Sequence, residues 1–402
     1  MPFRVASVRL YLVLSVAAVL VAGCAHGSDE EVSIAPLAPA ANRVDPGLGP
    51  GTQALSSGPG YKGSPSWSPD GDRIAFTVDG YVVDKPTDSG DLRRWTTRDF
   101  IAEDTEWVSE DTLMILGAAS TSGMDERSLY RARAGEDSLG LERVGKEVLA
   151  IGHAREGLIF ALGSGTGESG LALTARGSRD VHRLYTRPIE GRVAALSLSP
   201  DGDEAVLAVR PQGDHEISAL RIFDLRRGEE REIARLDGNQ EILGTPQWTE
   251  QGIYFVAGNK SASVDSDSTE PLYHIYRVQR EGGGPEPAPG VGEDFVAASI
   301  HVSPDGKRLA VIGRLNPKAP TNLYVLDPLA QDLTAVTTNE DMEIKTGPDD
   351  LAWSPGGQSV AVIARGIPST KPEVRADPAD RLLKDFYNLY GIPVGDFEDI
   401  PR

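Results

Sequence analysis

The sequence predicts an all-β fold, a β-propeller of radial four-stranded sheets, on three observations. A short motif recurs as "WSPDG" at 67–71, "LSPDG" at 198–202, "VSPDG" at 302–306 and "WSPGG" at 353–357. The residues before each Ser-Pro, together with the weaker counterparts Trp107, His153 and Trp248, fall at 67, 107, 153, 198, 248, 302 and 353. These intervals hold four short strands each, and self-similarity at such a period marks stacked supersecondary units. Finally, no long amphipathic helical pattern interrupts the units. Seven blades are expected, with six blades and a surplus hairpin as the alternative.

The elements follow from local chemistry. In Ser68-Pro69-Asp70-Gly71, Pro presets φ for the second position of a type I turn, Asp tolerates the third and Gly closes the fourth. Apolar runs follow the turns: Ile74-Ala75-Phe76, Val206–Val209, Leu309–Ile312 and Val360–Ile363. Such runs suit strands buried on both faces. A third strand is read at "GYVVDK", "SLYRARA", "LALTARG", "LRIFDLRRG", "LYHIYRVQR" and "NLYVLD". A fourth is read at "LRRWTT", "LERVGK", "HRLYTR", "REIARL" and "LTAVTT". Unit seven shows two clear strands, and either residues 366–376 or the segment before Tyr61 must complete it. Pro378–Tyr390, "PADRLLKDFYNLY", is expected to form a short C-terminal helix.

Units one and six, "WSPDGDRIAFT…YVVDKP…LRRWTT" and "VSPDGKRLAVIG…NLYVLDP…LTAVTT", resemble the TolB-type propeller repeat. The resemblance runs from Tyr61 to about Arg365. It is strong at units one, four and six, partial at seven and weak at two, three and five. It implies a propeller; the repeat is shared by envelope proteins, peptidase-attached propellers and lipoproteins, so it identifies fold better than function. Two features depart from the family. TolB proper carries an additional α/β domain for which the chain before Tyr61 leaves no room, and TolB-type propellers commonly have six blades.

The N-terminus sets an expected location. Arg4 and Arg9 precede an apolar run, Leu10–Ala22, that is short for a membrane span and suits a secretory signal. The run ends in Val21-Ala22-Gly23-Cys24, which resembles a bacterial lipobox. Cys24 is the only cysteine, so no internal disulfide is available, and it is the expected lipid attachment site. The expected organisation is therefore signal peptide 1–23, lipidated Cys24 and a Pro/Ala/Gly/Ser-rich tether over 24–60, propeller over 61–376 and C-terminal extension over 377–402. As a coil, the tether spans about 30–35 Å. With 60 acidic against 40 basic side chains, a formal charge of −20, the surface is unsuited to nucleic acid.

No catalytic constellation is found. Gly167-Glu168-Ser169-Gly170-Leu171 lacks the final Gly of a nucleophile elbow. "GSGTGES" at 163–169 lacks the Lys of a phosphate loop. Asp265, Asp267 and Glu270 alternate in "SVDSDSTE" without the spacing of a calcium loop. The six histidines show no metal-ligand spacing, so neither a metal nor a cofactor is expected. The tryptophans at 67, 107, 248 and 353 recur at one blade position, which argues for core packing. The connections between second and third strands, by contrast, are long and irregular, and loops on a rigid scaffold carry function. Met124, Asp125 and Arg127, then Asp214 and His215, then Asn259, Lys260, Asp265 and Asp267 are the candidate binding residues there. The expected function is a monomeric, lipid-anchored, extracytoplasmic protein-binding or scaffold module with an envelope protein as partner. A ligand- or ion-sensing propeller and a channel-mouth hydrolase or lyase are the rival readings.

Overall fold

A computed structural model describes residues 48–395, apart from 89, 98–99, 120–126, 135–140, 155–156, 164–167, 176–180, 184–187, 239, 260–271, 348–349 and 367–384. Seven antiparallel sheets form, each with four strand positions from the inside outward. The inner strands are Lys62–Trp67, Phe100–Ser109, Val148–Ala154, Arg192–Leu198, Gln240–Thr249 and Val296–Val302, with Met342–Ile344 and Leu351–Trp353 sharing the position in blade seven. All seven sequence marks lie in these strands, six of them at or one residue from the end. In blade three the third strand, Glu168–Ala175, pairs outward with both Val181–Arg183 and Ile189–Glu190. Blade five has a fourth strand, Glu286–Pro287, for which its Gly- and Pro-rich sequence offers no strand signal. Among the described residues no helix is long and apolar enough to cross a membrane.

The second strands are buried on both faces, as their apolar runs predict. In Glu204–Arg210, Val206 and Ala208 pack into one interblade cluster with Ile253 and Phe255 of blade five. Ala205, Leu207 and Val209 pack into another with Ile159 and Ala161 of blade three. The alternation of a strand thus assigns successive side chains to opposite seams, and the core is a set of seams between blades.

The turn motif folds as its residues dictate. Gly71 N donates to Ser68 O, Gly202 N to Ser199 O, Gly306 N to Ser303 O and Gly357 N to Ser354 O, all at 2.8–2.9 Å. These glycines have φ between 67° and 78°, a region costly for a residue with a Cβ. The serine does more than precede the proline. Ser199 Oγ donates to Asp201 Oδ1 at 2.6 Å and accepts the Glu204 amide at 3.0 Å, locking the hairpin. Ser68 and Ser303 repeat the arrangement.

The inner strands of blades one to six are each interrupted, and that of blade two a second time between Trp107 and Ser109, a feature absent from the sequence reading. Register shifts occur between Gly63 and Ser66, Ala102 and Asp104, Val148 and Ala150, Val193 and Ala195, Leu243 and Gln247, and Ala297 and Ser299. In blade seven the inner position is divided at this level, between Ile344 and Leu351. A bulge bends a strand and leaves its extra residue out of the ladder. Here neighbouring blades reach the freed carbonyls: Ser64 Oγ donates to Glu103 O at 2.8 Å and Ser197 Oγ to Pro246 O at 2.6 Å.

Blade seven is built from both ends of the described chain. Asn388–Pro393 is its third strand, and Gln53–Ala54 is its fourth, with Gln53 opposite Gly391 and Ala54 opposite Tyr390. The segment before Tyr61 therefore completes the blade. Trp67 Nε1 donates to Ala352 O at 3.2 Å, joining the first inner strand to the seventh. The C-terminal helix expectation needs correction: Asn388–Tyr390 are strand, because "NLYGIP" is a buried run that pairs with Ser359–Gly366. The rest of that stretch up to residue 384 lies outside the described residues, as do Cys24 and the signal segment.

Candidate functional site

Strand order gives the ring two unlike rims. Connections from first to second strand and from third to fourth leave one end of every sheet. Connections from second to third strand, and from each blade to the next, leave the other. Among the described residues of the first rim, the Ser-Pro-Asp-Gly turns are satisfied by their own residues. The Ser68 hydroxyl and the Asp72 amide hold the Asp70 carboxyl below the usual carboxylate range. The Ser199 hydroxyl and the Asp203 amide do the same for Asp201. At Asp305, burial raises the carboxyl, but the Ser303 hydroxyl, the Lys307 amide and two nearby cations outweigh it and the net direction is down.

The second rim carries the candidate residues. Arg127 stands at the end of the blade-two connection, where Nε lies 2.6 Å from Glu103 Oε2 and a terminal nitrogen donates to Leu149 O at 2.6 Å. Leu149 is the bulge residue of blade three, so Arg127 serves the same interblade lacing as Ser64 and Ser197. Asp214 and His215 are exposed in the blade-four connection. Asp214 accepts from Ser218 at 3.3 Å and lies 3.8 Å from Arg235. Asn259 is exposed at the end of Gly252–Asn259 in blade five. Arg127, Asp214, His215 and Asn259 share a rim but lie on three blades. Met124, Asp125, Lys260, Asp265 and Asp267 lie outside the described residues.

The same rim holds groups that the sequence reading missed. Tyr273 donates to Glu241 at 2.5 Å, and burial together with that carboxylate pushes its phenol up. Arg365 pairs with Glu343 at 2.9 Å and lies 4.5 Å over the Tyr387 ring. Lys345 bridges blades seven and one: it donates to Asp350 at 2.9 Å and to Lys62 O at 3.0 Å, and sits 4.0 Å over the exposed Tyr61 ring. Glu103, Glu241 and Glu343 all lie near the start of an inner strand, in "FIAED", "NQEIL" and "EDMEIK". That recurrence is the signal from which they could have been found. Beneath Tyr61, Lys62 is 2 % exposed and donates to the carbonyls of Gly58, Pro59 and Gly60. Burial pushes its ammonium down to about 8, against the pull of Asp79.

Among the described residues no three His, Cys, Asp or Glu side chains are gathered as a metal site. Of the histidines with described side chains, His274 faces the Phe295 carbonyl at 2.9 Å, His301 offers its own carbonyl to Trp353, and His215 stands in the rim connection.

The architecture is similar to solved propellers at low identity. An oligogalacturonate lyase from Vibrio parahaemolyticus matches with a TM-score of 0.53 and 10 % identity, over 86 % of this chain and 94 % of that one. A chain of a mitotic checkpoint complex matches at 0.50 and 13 % identity, over 88 % and 96 %. A protein described as a putative TolB from Agrobacterium tumefaciens matches at 0.44 and 15 % identity, over 77 % and 92 %. The likenesses to the first two concern the fold alone, and their differing chemistries show how little a propeller dictates about activity. No protein-family model and no curated protein matches the chain.

Proposed function

We propose that this chain is an extracytoplasmic, lipid-anchored β-propeller that binds an envelope protein on the rim of its second-to-third-strand connections and catalyses no reaction. The observation that carries this reading is the contrast between the rims. One rim carries three near-identical Ser-Pro-Asp-Gly turns whose hydroxyls and carboxylates are engaged within the turn. The other varies from the two-residue turn Asp79-Gly80 to the longer connections of blades two, four and five, and it carries exposed polar and aromatic groups on rigid strands. Variable loops on a rigid frame suit recognition. A stable partner would bury about 800 Å² of each surface.

The test replaces residues 260–271 with a three-residue Gly-Ser linker in the soluble domain and measures thermal melting beside capture from membrane extract. Melting is expected to stay within a few degrees while capture falls. Capture that survives this replacement, but is lost in a folded Asp201→Ala/Asp305→Ala variant, would move the binding face to the turn rim. For the anchor, Cys24→Ser is expected to abolish fatty-acid labelling and release the protein from membranes; labelling that persists in the variant refutes the assignment.

A further inference from the structure

We infer that Arg192 and Arg210 form an anion-recognition fork on the variable rim, taking the paired carboxylates of an acidic segment in the protein partner; this rests on the binding reading above. Arg192 opens the inner strand of blade four and Arg210 closes the second strand, and the two stand directly opposite in register. Cross-strand partners of an antiparallel pair have Cα atoms about 4.5–5.5 Å apart and project from the same side of the sheet. Two arginines thus rise from directly opposed positions on one side of the sheet, and both are exposed. Like charges in this relation oppose each other unless an anion lies between them.

In this acidic chain, arginines usually find a carboxylate. Arg127 reaches Glu103, Arg221 reaches Glu230, Arg280 reaches Glu204 and Arg365 reaches Glu343. Neither Arg192 nor Arg210 has a side-chain hydrogen bond or ion pair among the described residues. Among the described residues nearby, Asp214 is engaged elsewhere. Asp214 accepts from Ser218 and lies near Arg235.

The base under the pair is rigid. Gly191 has φ 97°, and a Cβ there would stand 2.6 Å from Arg210 O and 2.9 Å from the Val209 side chain. Ser169, 1 % exposed, donates to Gly191 O and accepts the Val193 amide, both at 3.0 Å, so blade three fixes the strand start. Pro211 is buried just after Arg210. Planar forks on a fixed base suit bidentate capture of carboxylates. The pair flanks the connection bearing Asp214 and His215, so a partner seated on that loop would meet it.

The experiment measures binding of fluorescein-labelled hexaglutamate to the soluble domain by anisotropy at low salt. Arg192→Gln/Arg210→Gln is expected to weaken binding at least tenfold, whereas Arg226→Gln/Arg227→Gln, with the same charge change on the opposite rim, stays within about twofold. Arg192→Lys/Arg210→Lys should lose several-fold, because an ammonium lacks the fork. Equal losses in the two Gln variants, or no binding of hexaglutamate by the parent domain, overturn the proposal. Displacement of the peptide by inorganic phosphate at equal concentration would assign the fork to free oxyanions instead. Envelope-partner capture that persists in a Gln variant unable to bind hexaglutamate overturns the fork while leaving the binding rim intact.

Discussion

Lys62 keeps its ammonium inside the seam where blade one begins, pointing at three carbonyls of one short segment. Its pKa of about 8 lies below the unfolded value of 10.5, so the folded state binds this proton more weakly than the unfolded state. The contribution to stability therefore rises as pH climbs from about 8 towards 10.5, by at most about 3 kcal/mol. Urea titrations at pH 7.5 and 10 should show this gain in the parent protein and lose it in Lys62→Met. The same variant should be destabilised by about 1–3 kcal/mol at pH 7.5, because the buried Gly58 carbonyl loses its donor. Ser199 makes a comparable case. Ser199→Ala leaves the Glu204 amide without its acceptor and frees Asp201, and a loss of about 1–3 kcal/mol is expected in the urea midpoint.

Among elements, the turn hairpins and the inner strands differ in how openly their sequences announce them. The hairpins were fully legible, since Ser, Pro, Asp and Gly each answer a separate backbone demand within four residues. So were the second strands, whose apolar runs match burial on both faces. The bulges were not, because one extra residue in a seven-residue strand leaves no break in hydrophobic period, and Glu103 or Leu149 is unremarkable as text. The strand Gln53–Ala54 is two residues between Gly-rich turns, below the length at which alternation exists. Asn388–Tyr390 looked helical because Leu383, Tyr387 and Tyr390 fall at helical spacing, while their pairing partner lies about 25 residues upstream. On the candidate site, Arg127 was legible as a rim residue but not as the donor to a bulge carbonyl. The turn carboxylates also set an acid response. With folded pKa values below the unfolded ones, Asp70, Asp201 and Asp305 contribute stability that is complete above the unfolded pKa of about 4 and fades as pH falls through the lowered values. An Asp70→Asn/Asp201→Asn/Asp305→Asn protein should be less stable at pH 7 and show a shallower loss between pH 5 and 2, measured by urea denaturation across that range.

For the molecule as a whole, the seam between blades seven and one governs integrity. Leu55 is wholly buried there against Ile74, Phe76, Val83 and Ile363. Leu55→Ala should cost about 2–5 kcal/mol, and hydrogen exchange should accelerate together in Arg73–Val78 and Ser359–Gly366. Acceleration confined to one of these strands would show that the seam does not act as a unit. The same blade also imposes an order of events on folding. Gln53 meets Gly391 across almost the whole described chain, so the first of the described strands to be synthesised waits for the last of them. Blades two to six draw on contiguous stretches and can assemble as the chain emerges, whereas closure carries the largest loop entropy of any pairing in the fold. A chain halted before Asn388 would hold most of its blades yet expose the unpaired edges of the seventh, and synthesis of Asn388–Pro393 becomes the step that seals the ring.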